Sequence, residues 1–289
     1  MASTGVPSIS GVFRSFPKPS PGRPGDPGLF GPGSMVWRVN GETALLLGSG
    51  RALLMQIAHP LVAAGVADHS DFEAGAFDRL WRTLDAVLTV AFGDTEQALE
   101  AADRVRGIHG RVTGRRGGRT YSALDNELLL WVHTTLVDSA LVTYERFVGP
   151  LGPDNVERYH EEMKRFAGAF GVPREVLPRD AASFRHYLDE QLVGLQVTPE
   201  ARRLAHEILA PPSPMGLAPV RGLLRESTIG LLPEHLRERF GLTWGPARDL
   251  ALQVAAAGIR RTLPLVPANV RRWPHAQVAV ARSEPKSPW

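Results

Sequence analysis

Histidine is the residue type on which this sequence could build chemistry. Four of its nine histidines, His59, His69, His109 and His133, fall in the N-terminal half, on or beside apolar helical patterns. There a neutral imidazole can ligate a metal. His109 stands in Val105-Arg-Gly-Ile-His-Gly-Arg-Val112, with Val105, Ile108 and Val112 on one face. Glycines 107 and 110 flank it and would let a flat group approach the backbone. From periodicity alone the plainer reading is that His109 caps or hydrogen-bonds a neighbouring helix. His133, in Leu128-Leu-Leu-Trp-Val-His-Thr-Thr135, lies on a strongly apolar helix, where a lone histidine is ordinarily satisfied within the core. His59 precedes Pro60, which biases its backbone away from helix and suits it to pinning a helix end. His69, in Ala67-Asp-His-Ser-Asp71, resembles a turn or a helix cap, although Asp68, His69 and Asp71 together hold metal-binding donors.

A second constellation is Arg79-Leu-Trp-Arg-Thr83, where Arg79, Arg82 and Thr83 share one helical face at three- and four-residue spacing. Two guanidinium groups and a hydroxyl suit carboxylates or a polarised oxygen; equally, the arginines can form solvated ion pairs with Asp78 or Asp85.

Several function classes are excluded. With no cysteine there is no disulfide, thiolate metal site or cysteine nucleophile. No G-x-x-x-x-G-K-[ST], H-E-x-x-H or G-x-S-x-G motif occurs. Gly48-Ser-Gly50 resembles part of a dinucleotide loop but lacks a preceding strand and a third glycine. The net charge of +3 comes from 33 basic and 30 acidic side chains, too even a balance to name a partner. Arg115-Arg-Gly-Gly-Arg119 reads as an exposed basic loop, and a nucleic-acid partner would require more basic and aromatic residues around it.

The elements that must position these residues are helical. Residues 1–34, dense in Pro, Gly and Ser, read as a flexible leader. From Met35 apolar residues recur every three or four positions, predicting helices over 41–58, 77–92, 95–113, 123–147, 153–170, 179–193, 199–209, 215–230, 233–241 and 244–263. The helical domain is expected to span 35–275, closing in an extended strap after Pro267, with 276–289 a frayed tail. No long run of alternating β-branched residues appears, so the expected fold class is all-α in a single domain. No uncharged apolar run reaches the roughly 18–20 residues that span a bilayer, and no signal peptide is visible, so the expected location is cytoplasmic. Leu250, Val254 and Ile259 form a helix face that packs within the fold or against another copy of the chain.

The run Arg51-Ala-Leu-Leu-Met-Gln-Ile-Ala-His-Pro-Leu-Val-Ala-Ala-Gly-Val-Ala-Asp-His-Ser-Asp-Phe72 resembles the bacterial DUF2236 proteins, the family that includes the rubber oxygenases. Further matching segments, in order, are Arg79-Leu-Trp-Arg-Thr83, Val105-Arg-Gly-Ile-His109, Tyr121-Ser-Ala-Leu-Asp125, Leu130-Trp-Val-His133, Tyr159 with Glu162, and Leu263-Pro-Leu-Val-Pro267 with Arg271, Arg272 and Pro274. The resemblance implies a globin-like helical core around haem b and an oxygenase that cleaves carbon–carbon double bonds with dioxygen. It implies His109 as the proximal iron ligand, with His133 the alternative, and a distal group of Arg79, Arg82 and Thr83. In the rubber enzymes a lysine able to ligate iron stands where this chain has Arg82, which keeps its proton and is a poor ligand. The expected partners are therefore haem b, dioxygen and a small apolar isoprenoid- or lipid-like substrate. A carrier or sensor that holds haem without turnover is the alternative.

Overall fold

The computed structural model describes residues 19–69, 83–210 and 218–284. Within them the chain is all-α apart from one two-stranded hairpin. Helix α1, Met35–Asn40, starts where the Ser34 hydroxyl accepts from the Trp37 amide, the usual way a serine satisfies an unpaired helix N–H. A 3₁₀ turn, Thr43–Gly48, leads into α2, Ser49–Ala58, and α3, Pro60–His69, follows at once. Between them His59 is extended (φ −78°, ψ 122°), as a residue before proline tends to be. Pro60 then opens the next helix, where its missing N–H costs nothing. The helices expected from periodicity leave out 60–69, because a proline after a helical stretch marks its end as readily as the start of the next.

Among the described residues the next helix is α4, Thr83–Phe92, followed by α5, Thr95–His109. A reciprocal cap between Asp94 and Gln97 fixes the start of α5. Strands β1, Thr113–Arg116, and β2, Arg119–Ser122, pair antiparallel. Gly117 and Gly118, at φ +57° and +79°, make the two-residue turn between them. The basic segment 115–119 is thus the tip of a hairpin rather than a plain loop, and the helix expected to reach 113 stops at His109.

Helix α6, Asn126–Phe147, follows, capped by the Asp125 carboxylate. After it come α7, Pro153–Ala169; α8, Ala181–Gly194; α9, Pro199–Leu209; α10, Ala218–Leu231; α11, Glu234–Phe240; and α12, Pro246–Thr262. Two further helices, α13, Ala268–Arg271, and α14, Pro274–Ser283, complete the described chain.

Helix α6 is buried on more than one side, as a helix at the centre of a bundle must be. Its Val137 and Tyr144 join one apolar cluster with Trp37, Phe92, Tyr159 and Trp273. Its Trp131 joins a second with Leu54, Met55, Leu204 and Leu236. On the α2 side the approach is close: a Cβ added at Gly48 would run into the Thr143 hydroxyl, and one at Gly50 into that of Thr228. Arg51 then reaches Asp138 at 2.6 Å, donates to Ser139 Oγ at 2.7 Å and caps the Leu231 carbonyl at 2.8 Å. Gly48-Ser-Gly50-Arg51 is accordingly a helix crossing, which accounts for its glycines without a nucleotide.

Two boundaries differ from the expectation. Residues 19–34 are not a free leader over this stretch. The Arg23 amide donates to Asp94 at 2.6 Å, the Gly25 amide to the Arg282 carbonyl at 2.9 Å, and Arg282 Nε to the Asp26 carbonyl at 2.7 Å. Nor are residues 268–284 an extended strap running into a frayed tail. They form α13 and α14, and His275, Ala276, Ala279 and Arg282 of α14 are buried. Both errors have one cause: composition measures the apolar surface a segment carries, whereas these segments are held by backbone and guanidinium bonds to residues remote in sequence. On α12, Leu250 and Val254 are 61% and 65% exposed, while Ile259 packs inward against the Phe147–Leu252 cluster. Among the described residues no single helix is long and apolar enough to cross a membrane, and the apolar pair Thr43–Ala58 and Pro60–His69 is bent by 104°.

Candidate functional site

His109 is the last residue of α5, placed where that helix meets the hairpin and the C-terminal end of α7. One turn earlier Arg106 donates to the Ala169 carbonyl at 3.2 Å, and just beyond, the Val112 amide returns to the His109 carbonyl at 3.0 Å. Burial alone pushes the His109 pKa down, so the ring is neutral at physiological pH. Its Nδ1 is buried and has no hydrogen-bond partner. Around it the glycines leave room: a Cβ at Gly107 would meet nothing within 4 Å, and one at Gly110 only ordinary contacts, the nearest at 3.6 Å. A neutral imidazole with an unshared nitrogen, beside backbone that a planar group can approach, fits a haem ligand.

His133 lies midway along α6 and is 6% exposed. Burial, followed by the neighbouring His160, pushes its pKa down to about 3. It too is a neutral imidazole. His160, on α7, donates through Nε2 to the Pro178 carbonyl at 3.2 Å, while its Nδ1 is buried and unpartnered. Its ring meets the Phe184 ring edge-on with centroids 5.1 Å apart. The structure therefore brings His133 together with His160, which the sequence reading passed over. The signal was present: Val156, Tyr159, His160, Met163 and Phe166 lie along one face of α7, and four of them are buried. No hydrogen bond or ring contact among the described residues joins His109 to His133.

Thr83 is the first described residue of α4 and is exposed. Arg79 and Arg82 lie outside the described residues, as does Asp71. His59 and His69, the other two histidines of the N-terminal half, have structural partners. His59 Nδ1 accepts from the Leu61 amide at 3.3 Å and secures the bend between α2 and α3. His69 Nε2 faces the Thr113 carbonyl at 2.9 Å, and its ring stands edge-on to Tyr121. Asp68 beside it accepts from Tyr121 Oη at 2.7 Å and pairs with Arg116. Burial and the Asp68 carboxylate push Tyr121 up to about 12, so the phenol stays a donor. Asp68 and His69 thus fasten the hairpin to α3, and among the described residues no group of three metal-binding side chains assembles.

Other segments that carried the resemblance are also architectural. Tyr159 Oη donates to Asn40 at 2.7 Å, and Glu162 accepts from the Val36 amide at 2.9 Å. Arg271 grips the buried Glu42 carboxylate with two bonds of 2.9 Å, and Arg272 adds a third at 3.2 Å. Set against known proteins, residues 37–261 match the family model described as ER-bound oxygenase mpaB/B′/rubber oxygenase, catalytic domain, well over half of the chain. Neither a curated protein nor a solved structure matches the chain.

Proposed function

Because this chain belongs to the mpaB/rubber oxygenase catalytic-domain family and is thereby an oxygenase-type oxidoreductase, we propose that it holds haem b through His109 and oxidises a small apolar substrate with dioxygen. The observation that carries this reading is the half-buried, neutral His109 with its buried, unpartnered Nδ1. Haem, when bound, supplies the activation of dioxygen. His109 holds it as a neutral donor, and Gly107 and Gly110 keep side chains out of its way. Helix α6, whose Leu129 and Leu130 are buried, is proposed to contribute an apolar wall that would exclude water and favour an isoprenoid- or lipid-like body. Within that wall His133 is the second residue proposed to contact the cofactor. Arg79 and Thr83, whose four-residue spacing in sequence would set them on one helical face, are proposed to hydrogen-bond developing negative charge on oxygen, a preorganised interaction worth a few kcal/mol. Arg82, permanently charged, suits a propionate better than the iron. The globin-like arrangement of helices around the cofactor and the extent of the domain, 35–275 with the segments at both ends packed onto it, belong to the same reading.

The test is absorption spectroscopy on protein from cells supplied with a haem precursor, oxidised and then reduced, with haem quantified per chain. The expected result is a Soret band near one haem per chain, lost in His109→Ala and kept in His133→Ala. Stoichiometric haem in His109→Ala would transfer the ligand role to His133, and a protein colourless after reconstitution would end the haem reading. Arg79→Ala should keep haem and lose dioxygen consumption with an unsaturated lipid; a haem-loaded wild type that consumes none would favour a carrier.

A further inference from the structure

Away from the histidines, a cavity of about 390 Å³ opens between α1, the first turns of α7 and the chain leading into α14. Three guanidinium groups, Arg38, Arg158 and Arg272, and the Asn155 amide share its walls, with Pro32 and Val280 as exposed apolar lining. No aspartate or glutamate is among the described residues that line it.

The three arginines are held to different degrees. Arg272 is fixed: Nη2 donates to the Trp37 carbonyl at 2.8 Å, and Nη1 is shared between Glu42 at 3.2 Å and the Arg38 carbonyl at 3.3 Å. Arg158 gives Nη2 to the Gly33 carbonyl at 3.1 Å; its ion-pair partner Glu162 is 3.9 Å away, too far for a hydrogen bond. Glu162 is itself engaged by the Val36 amide. Arg38 is exposed and gives Nε to Tyr144 Oη at 3.4 Å, which leaves both of its terminal nitrogens without a described partner. In this corner Arg38, Arg158, Arg271 and Arg272 share two carboxylates, Glu42 and Glu162. Two positive charges are left uncompensated inside a concave surface, where low-dielectric walls concentrate their field.

We propose that this cavity binds the phosphate of an organic phosphate ester. The geometry favours phosphate over carboxylate. One guanidinium fork satisfies both oxygens of a carboxylate, whereas the open donors of Arg38 on α1 and Arg158 on α7, converging from two elements beside the positive charge of the engaged Arg272, match the several oxygens and higher charge of a phosphate. The volume exceeds what a bare phosphate fills, and the exposed Pro32 and Val280 at its edge offer apolar surface to an organic body. The site is independent of the haem reading and shares none of its residues.

Calorimetric titration with phenyl phosphate tests it, with inorganic phosphate and benzoate as comparisons and Arg38→Gln/Arg158→Gln as the variant. Arg272 is left intact because it also braces Glu42. The expected result is saturable binding of phenyl phosphate, weaker binding of the other two, and at least a tenfold loss in the variant, whose ligand-free melting temperature stays that of the wild type. No saturable binding by the wild type, equal affinity in the variant, or benzoate binding as well as phenyl phosphate would each overturn the proposal. Sedimentation with vesicles of phosphatidylcholine, with and without phosphatidic acid, separates two sources of the phosphate. Capture by phosphatidic acid that phenyl phosphate competes away identifies a lipid headgroup. Phenyl phosphate binding without capture identifies a soluble ester.

Discussion

At the scale of single residues, the interior of this protein is notable for neutral imidazoles. His59, His109, His133, His160 and His275 all have pKa values lowered chiefly by burial, and His133, at about 3, is the extreme. The pH dependence follows with a definite sign. A histidine unfolds to an ordinary value near 6.5, so the unfolded chain takes up the proton first as pH falls, and stability drops with it. The contribution of His133 is fully present above about pH 6.5 and is lost progressively toward about pH 3, at up to about 1.4 kcal/mol per pH unit. Thermal unfolding followed from about pH 8 down to about pH 5 should show a falling midpoint, and His133→Phe should flatten the slope. A midpoint insensitive to pH over that range would contradict the buried, neutral assignment.

At the scale of elements, the crossing of α2 with α6 and α10 depends on two missing side chains. Gly48 faces Thr143 and Gly50 faces Thr228 at separations that leave no space for a methyl group. Overpacking of this kind costs about 1–3 kcal/mol, and denaturant melts of Gly48→Ala and Gly50→Ala should each show a loss in that range. Gly50→Ala combined with Thr228→Ala should recover part of it, since the second change removes the atoms in conflict. Additive losses in the double variant would mean that the two residues do not constrain each other. The crossing matters to the site because it fixes α6, and α6 carries His133.

At the scale of the whole molecule, the two ends of the described chain lock onto the middle. Glu42, 2% exposed, is the anchor for Arg271 and Arg272, 229 and 230 residues away. Arg282 joins the Asp26 and Phe92 carbonyls, at 2.7 Å each, across separations of 256 and 190 residues. Removing one partner of such a buried pair leaves a charge without compensation. Because both arginines are partly open to water, the expected cost of Glu42→Gln is about 3 kcal/mol, read from chemical denaturation. Arg282→Ala should also lower stability and should expose the 19–34 segment to limited proteolysis. A variant cleaved no faster than the wild type would show that this segment is held by other contacts.

What the sequence determined by itself was local in origin. Helical periodicity, the caps at Asp94, Asp125 and Asp180, and the extended His59 before Pro60 each follow from interactions within a few residues. The family could likewise be read from separated motifs in order, and His109 and His133 could be nominated because residue type and spacing are carried in the chain. The tertiary structure decided the rest. It assigned Tyr159, Glu162, Arg271 and Arg272 to architecture, placed His160 beside His133, and turned both ends of the described chain into packed elements. These outcomes depend on which surfaces meet across one or two hundred residues, and a hydrogen bond between remote residues leaves no periodicity in the sequence by which to find it.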